Sequence, residues 1–261
     1  MPGPRFDTRP VLVLLALLVV PALSPQSAPP APAGALPAKG ALDYIVEWRL
    51  IDAGRAKLTW NANAASHPGS QIRLHLESTG LVSRLFKVND DYMADLSSAL
   101  CVRDTHLTAH EGSRNRETSV HFDPETKKAS YLERDIQTRA VTLAKETDIP
   151  ACVHDVIGGL FFLRTLNLEP GRSAEVPVSD GKKTVSAKVA AMGRESIKVP
   201  AGTFKTIRYE AFLFSNVLYR RDGHLYLWLT DDGRKLPVRI QVRLQFAIGT
   251  ITFQLEKEDT R

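Results

Sequence analysis

The stretch CVHDVIGGLFFLRTL (residues 152–166) decides how this chain folds, because it is the segment that reads convincingly as a helix. Val153, Val156, Ile157, Leu160 and Phe161 recur at helical spacing, and Phe162, Leu163 and Leu166 widen the apolar arc until little of the circumference stays polar. A helix apolar nearly all round is buried on more than one side. Pro150 upstream suits a helix entrance, Asp155 complements the positive first turn, and Glu169-Pro170-Gly171 stops the run, so the pattern predicts a helix over 153–167. Gly158 and Gly159 each cost about 1 kcal/mol relative to alanine inside a helix, and close approach to a neighbouring backbone is the expected compensation. Such a segment reads as a plug or lid lying across a curved sheet.

Everything around it has strand period. Tyr44, Val46, Trp48 and Leu50 alternate with Asp43, Glu47 and Arg49, Gly54 reads as a turn, and AKLTWNA (56–62) as the return strand. Ile72, Leu74 and Leu76 repeat the alternation, as do Leu225, Leu227 and Leu229, then Ile240 to Ile248, then Ile251, Phe253 and Leu255. Asp123-Pro124, Asp180-Gly181, Asp222-Gly223 and Asp232-Gly233 are reversal signals between such runs. One apolar and one polar face per strand is the mark of an antiparallel sheet wetted on one side. The expected fold is mainly β: a single antiparallel curved sheet or incomplete β-barrel of about 10–12 strands, with one apolar helix against its concave side.

The N-terminus has a different character. Arg5 and Arg9 precede the unbroken apolar run Val11 to Val20, then small residues and prolines follow. That order is a secretory signal. The run is shorter than the roughly 20 residues a bilayer-spanning helix needs, which disfavours an uncleaved anchor. Residues 1–33 are therefore read as signal peptide, 34–40 as linker and 41–261 as one β-rich domain, with a periplasmic destination. The net charge of +5 arises from 34 basic against 29 acidic residues, well mixed and without a basic stripe, which argues against nucleic acid and leaves contact with an anionic membrane surface open. Cys101 and Cys152 are two cysteines in a chain bound for an oxidising compartment, which favours one disulfide over two buried thiols that never meet.

Signatures of chemistry are weak. Cys152 as nucleophile needs a base, but His154 at i+2 does not face it on a helix. His106 and His110 would lie about 13 Å apart on an extended strand, a poor pair of metal ligands. Neither Asn89-Asp90-Asp91 nor Asp231-Asp232-Gly233 carries the oxygen alternation of a calcium loop. No nucleophile elbow, phosphate-cradling loop or dinucleotide fingerprint is present. The sequence thus names no catalytic residue, metal or cofactor. Aromatics give a softer lead: Tyr226 and Trp228 occupy the strand face opposite Leu225, Leu227 and Leu229, where a merely solvated face would carry charge.

The segments DVIGGLFFLRTLNLEPG (155–171), VPAGTFKTIRYEA (199–211) and LYLWLTDDGRKLPVRIQ (225–241), preceded by FDPET (122–126), resemble an exported bacterial family catalogued as domain of unknown function 3108. The order and spacing match over most of residues 42–258. The resemblance implies an envelope-located, β-rich domain without an established catalytic residue, and the two cysteines have no place in its pattern. A looser likeness, of architecture alone, is to lipoprotein-carrier half-barrels that wrap a helix around an apolar cavity. The expectation is a non-enzymatic envelope protein holding an apolar or amphiphilic component such as a lipid, with Leu160, Phe161, Phe162, Leu163, Tyr226 and Trp228 lining the site. The alternatives are an envelope glycan-acting hydrolase using carboxylates the sequence does not pair, and an interaction scaffold. Ligand identity, partners and oligomeric state are not legible in the sequence.

Overall fold

The computed structural model describes residues 38–62, 69–244 and 249–260. The signal peptide read over 1–33, most of the linker, and Phe246 and Ile248 of the C-terminal alternation lie outside the described residues. Among the described residues fourteen strands form one antiparallel sheet that does not close into a barrel. The first half is a meander: β1 (Lys39–Trp48), β2 (Ile51–Ala62), β3 (Gly69–Ser78), β4 (Val88–Ser97), β5 (Val102–Glu111), β6 (Arg114–Asp123), β7 (Lys128–Asp135) and β8 (Val141–Asp148). The second half is another: β9 (Ser173–Ser179), β10 (Thr184–Val199), β11 (Gly202–Ala211), β12 (Gly223–Thr230), β13 (Pro237–Leu244) and β14 (Thr250–Thr260). They join where β1 pairs with β14, so β8 and β9 are the two edges. The strand count exceeds the expected 10–12 because strands such as β8, exposed along nearly its whole length, carry no alternation to read.

The chain crosses between the edges through α2 (Val156–Thr165). This helix is shorter than the 153–167 expected, because Val153 and His154 are drawn into strand-like pairing instead. Val102 N donates to Val153 O at 2.8 Å, His154 N to Pro177 O at 2.9 Å, and Ser179 N to His154 O at 2.9 Å. The segment thus partners the free edge of β9, where a proline without an N–H is tolerated. Asp155 is the N-cap, its carboxylate accepting from Ile157 N at 3.0 Å and Gly158 N at 3.1 Å. A short helix not expected from the sequence, α1 (Gly80–Leu85), joins β3 to β4.

Gly54 is not a turn. The β1–β2 reversal is made by Arg49 and Leu50, both at positive φ (51° and 71°), and Gly54 sits inside β2 beside a register shift. A Cβ there would meet Glu77 O of β3 at 2.2 Å, so close strand approach is what requires glycine.

Inward-facing residues from both halves and the apolar faces of α2 make one core. Its packed part surrounds the C-terminal half of α2. Phe161 meets Trp60 edge-on at 5.4 Å, and the guanidinium of Arg164 lies 5.1 Å from the Trp60 ring centre and 5.2 Å from that of Phe161. Arg164 is 1 % exposed and donates to Lys235 O (3.1 Å) and Arg234 O (3.3 Å), and burial holds its pKa down at about 10. It pins the helix end to the β12–β13 turn.

Candidate functional site

The other part of the interior is not filled. A cavity of about 280 Å³ lies between the N-terminal half of α2 and the inner face of the sheet. Strand alternation builds its walls: Leu58 and Leu74 come from one side, Val176, Val178 and Val189 from β9 and β10, and Leu225, Leu227, Ile240 and Val242 from β12 and β13. The helix contributes Val156, Ile157, Leu160 and Leu163. The space exists because small residues stand where larger ones would fill it: Ala56, Ala187 and Ala211 on the sheet and Gly159 on the helix. Polar groups are few. Tyr44 donates its hydroxyl to Pro237 O at 2.7 Å, and burial pushes its pKa well up; Tyr219 is pushed up to about 12 by the same cause.

The connection between β11 and β12 (212–222) covers the cavity at one end with Leu213, Phe214 and Tyr219. Backbone bonds from Leu218 N and Tyr219 N to Leu213 O fold this segment on itself. Lys183 ties it to the β9–β10 turn by donating to Asn216 O and Val217 O.

A second compartment of about 260 Å³ adjoins the first, sharing Val156, Ile157 and Tyr219, and its lining is mixed. Leu107, Val120 and Phe122 line it together with Arg116, Asp155, Asp180 and Lys182 and several hydroxyls. Burial raises the Asp155 pKa; Tyr92 Oη donates to its Oδ2 at 2.7 Å, and the helix N-terminus supplies the other donors. The carboxylate is thereby committed to holding α2. Arg116 pairs with Glu111 at 3.0 Å while its buried Nε has no partner, and the Lys182 ammonium lies 4.9 Å from the centre of the Tyr131 ring. The two compartments together offer an oily space beside a mixed set of charged groups and hydroxyls.

Of the six residues expected to line the site, Leu160 and Leu163 line the apolar cavity and the other four do not. Phe161 points into the packed region at Trp60, and Phe162 stacks on His154 with ring centres 4.3 Å apart. Tyr226 and Trp228 face away, as alternation with the inward Leu225 and Leu227 requires. They are covered by neighbouring strands: Trp228 Nε1 donates to Glu195 at 2.9 Å, Arg239 lies over Trp228, and Arg208 lies over Tyr226. Leu213 and Phe214 escaped the sequence reading because their connection has no period; the run Phe212-Leu213-Phe214 was the available signal.

Cys101 and Cys152 form a disulfide, with Cα atoms 5.1 Å apart. His106 and His110 lie on β5, contacting Glu117 (3.4 Å) and Asn115 (2.6 Å) respectively, and no group of three metal-ligating side chains occurs among the described residues. Asp91 pairs with His75, Asp90 accepts from His110 N, and Asp231 and Asp232 are held by Arg194 and Arg234.

Fold and cavity define a class: an open antiparallel β half-barrel with an internal helix roofing an apolar space. More particularly, the chain belongs to the family described as protein of unknown function DUF3108, whose model matches residues 43–256. No curated protein matches it in sequence. Among solved structures it is similar to a β-barrel-like protein of domain of unknown function DUF1849 from Brucella abortus, at 8 % identity over 87 % of this chain and 99 % of that one, with a TM-score of 0.53. At that identity the likeness is one of fold. A weaker likeness, TM-score 0.31 at 10 % identity over 86 % of this chain and 97 % of the other, is to a Parabacteroides distasonis protein provisionally classed as a lipoprotein.

Proposed function

We propose that this protein is a non-enzymatic component of the cell envelope that holds an apolar or amphiphilic molecule, such as a lipid or acyl chain, in the cavity beneath α2. The observation that carries the reading is the unfilled apolar space itself. The space is walled almost wholly by apolar side chains and is partly open, so leaving it unoccupied keeps apolar surface against water that an apolar ligand would cover. Apolar cavities of roughly half that size stay dry and accept small hydrocarbons. The adjoining compartment, where Arg116 and Lys182 stand with Asp155, Asp180 and hydroxyls, suits a polar head beside an oily tail better than it suits plain hydrocarbon. The Cys101–Cys152 disulfide fits an oxidising compartment outside the cytoplasm.

The test is solvent extraction and mass spectrometry of protein purified from the envelope without detergent, together with titration by a fluorescent fatty acid. Acyl species that co-purify in fixed ratio and are displaced by the probe are the expected result. A ligand-free protein that takes up no probe overturns the reading.

A further inference from the structure

The two ends of the sheet differ in chemistry. Because every pairing is antiparallel, the β1–β2 turn and the β3–β4 connection, which carries α1, leave neighbouring strands on the same side; the β9–β10 turn instead folds inward, with Gly181 buried against Val120 and Tyr131. That side carries Leu50 and Ile51 at the β1–β2 turn, Leu81 and Leu85 on α1, and Phe86 just after it; Leu50 is 92 % and Leu85 73 % exposed. Among the described residues no large exposed apolar side chain lies in a connection at the opposite end.

Charge follows the same division. The connections 49–50 and 79–87 contain Arg49, Arg84 and Lys87 and no carboxylate. At the other end the β6–β7 and β12–β13 connections are balanced, Glu125, Asp231 and Asp232 against Lys127, Arg234 and Lys235.

The cavity lies under the β11–β12 connection, walled by Ala211, Leu225 and Val242 near their strand termini, whereas the interior around the C-terminal half of α2 is packed by Trp60, Phe161 and Arg164. Exposed leucines and a phenylalanine interspersed with cations match the boundary between lipid headgroups and acyl chains, where apolar side chains bury and basic ones meet phosphate. A protein partner is the poorer match for a surface so short of carboxylates.

We infer that this end docks on an anionic phospholipid bilayer, with Leu50, Leu81, Leu85 and Phe86 entering the headgroup region and Arg84 and Lys87 facing lipid phosphates. The inference goes beyond the cavity reading and stands apart from it, since a chain with a filled interior would dock in the same way.

The test is co-sedimentation of the full chain with phosphatidylethanolamine–phosphatidylglycerol vesicles and with phosphatidylcholine vesicles. Residues 1–33 are common to all variants, so their contribution cancels. Arg84→Glu/Lys87→Glu and Leu81→Ser/Leu85→Ser are each expected to lower partition onto the anionic vesicles by at least about tenfold, while Lys127→Glu at the opposite end leaves it unchanged. Brominated lipid is expected to quench Trp48, beside the β1–β2 turn, with that component absent in Trp48→Phe; Trp60 and Trp228 are buried. Fatty-acid probe binding persisting in the rim variants separates docking from the cavity. The inference is overturned if the rim variants partition like the parent, if Lys127→Glu weakens binding as much, or if Trp48 is not quenched. It is equally overturned if the rim variants only dissociate a self-associated form, which would assign this face to a second copy.

Discussion

Cys152 is bonded to Cys101, 51 residues earlier in the chain, so the strand-like entrance to α2 is fastened to the start of β5. The neighbouring bond from Val102 N to Val153 O continues the same seam. The cross-link therefore acts on the placement of the helix and, through it, on the roof of the cavity. A closed loop of this length is worth roughly 4 kcal/mol in the chain-entropy model. Cys101→Ser/Cys152→Ser is expected to lower the urea midpoint by about 2–4 kcal/mol equivalent without changing the β-sheet circular dichroism signal of the folded protein. A double variant as stable as the parent would show that the seam holds without the covalent link.

Gly158 and Gly159 are neighbours in sequence with opposite expectations. A Cβ at Gly158 would meet Asp155 Oδ1 at 2.5 Å and Leu96 Cδ2 at 3.3 Å, whereas one at Gly159 would meet nothing nearer than Val178 Cγ2 at 3.9 Å. The first is crowded by side chains, the helix cap among them, and not by the backbone approach expected for both. Gly158→Ala should disturb the cap and cost about 1–2 kcal/mol. Gly159→Ala should gain up to about 1 kcal/mol from helix propensity. Paired chemical denaturation curves check the order; equal effects would contradict the geometry.

How much of this was legible beforehand differs from one element to the next. Strands such as β1, β3 and β14 were readable because one face is buried and the other wetter, which writes period two into the sequence. The helix was readable because α2 is covered on several sides. Its start was not, since Val153 and His154 obey a pairing with β9 that only the folded sheet supplies. Gly54 was misplaced for the same reason: the carbonyl that excludes a side chain there belongs to Glu77 on another strand. The cavity was half legible. Leu160 and Leu163 followed from the helix, but the direction of Tyr226 and Trp228 was decided by the inward leucines between them, and the cover from 212–222 has no periodic trace.

His154 gives a pH signature. It is 2 % exposed, and burial depresses its pKa; its Nδ1 donates to Leu100 O at 2.8 Å, which fixes the neutral tautomer. A histidine that stays neutral when folded but charges when unfolded stabilises fully above its ordinary pKa of about 6.5, and that contribution falls as pH drops from there toward the folded value. Asp155 beside it works oppositely, because its raised pKa makes the folded state keep a proton the unfolded chain releases. His154→Gln leaves the aspartate in place, so the parent should lose stability relative to the variant as pH falls below about 6.5. Parallel denaturation profiles through that window would contradict it.

Cavity filling tests the site most directly. Ala187 and Ala211 face the apolar space from adjacent strands, and both are nearly fully buried. Leucine at either position adds methylenes to space already present, whereas the same change in a packed core typically costs about 1–3 kcal/mol. Ala187→Leu and Ala211→Leu should therefore be neutral or stabilising, within about 1 kcal/mol, when measured on protein stripped of ligand. In the same molecules fatty-acid uptake should fall, and fall further in the double variant. Ala129 is 0 % exposed on β7 and does not line this cavity, so Ala129→Leu should instead behave as overpacking and lose stability. If all three leucines are equally destabilising, the space is closed in solution, and a carrier reading resting on its volume fails with it.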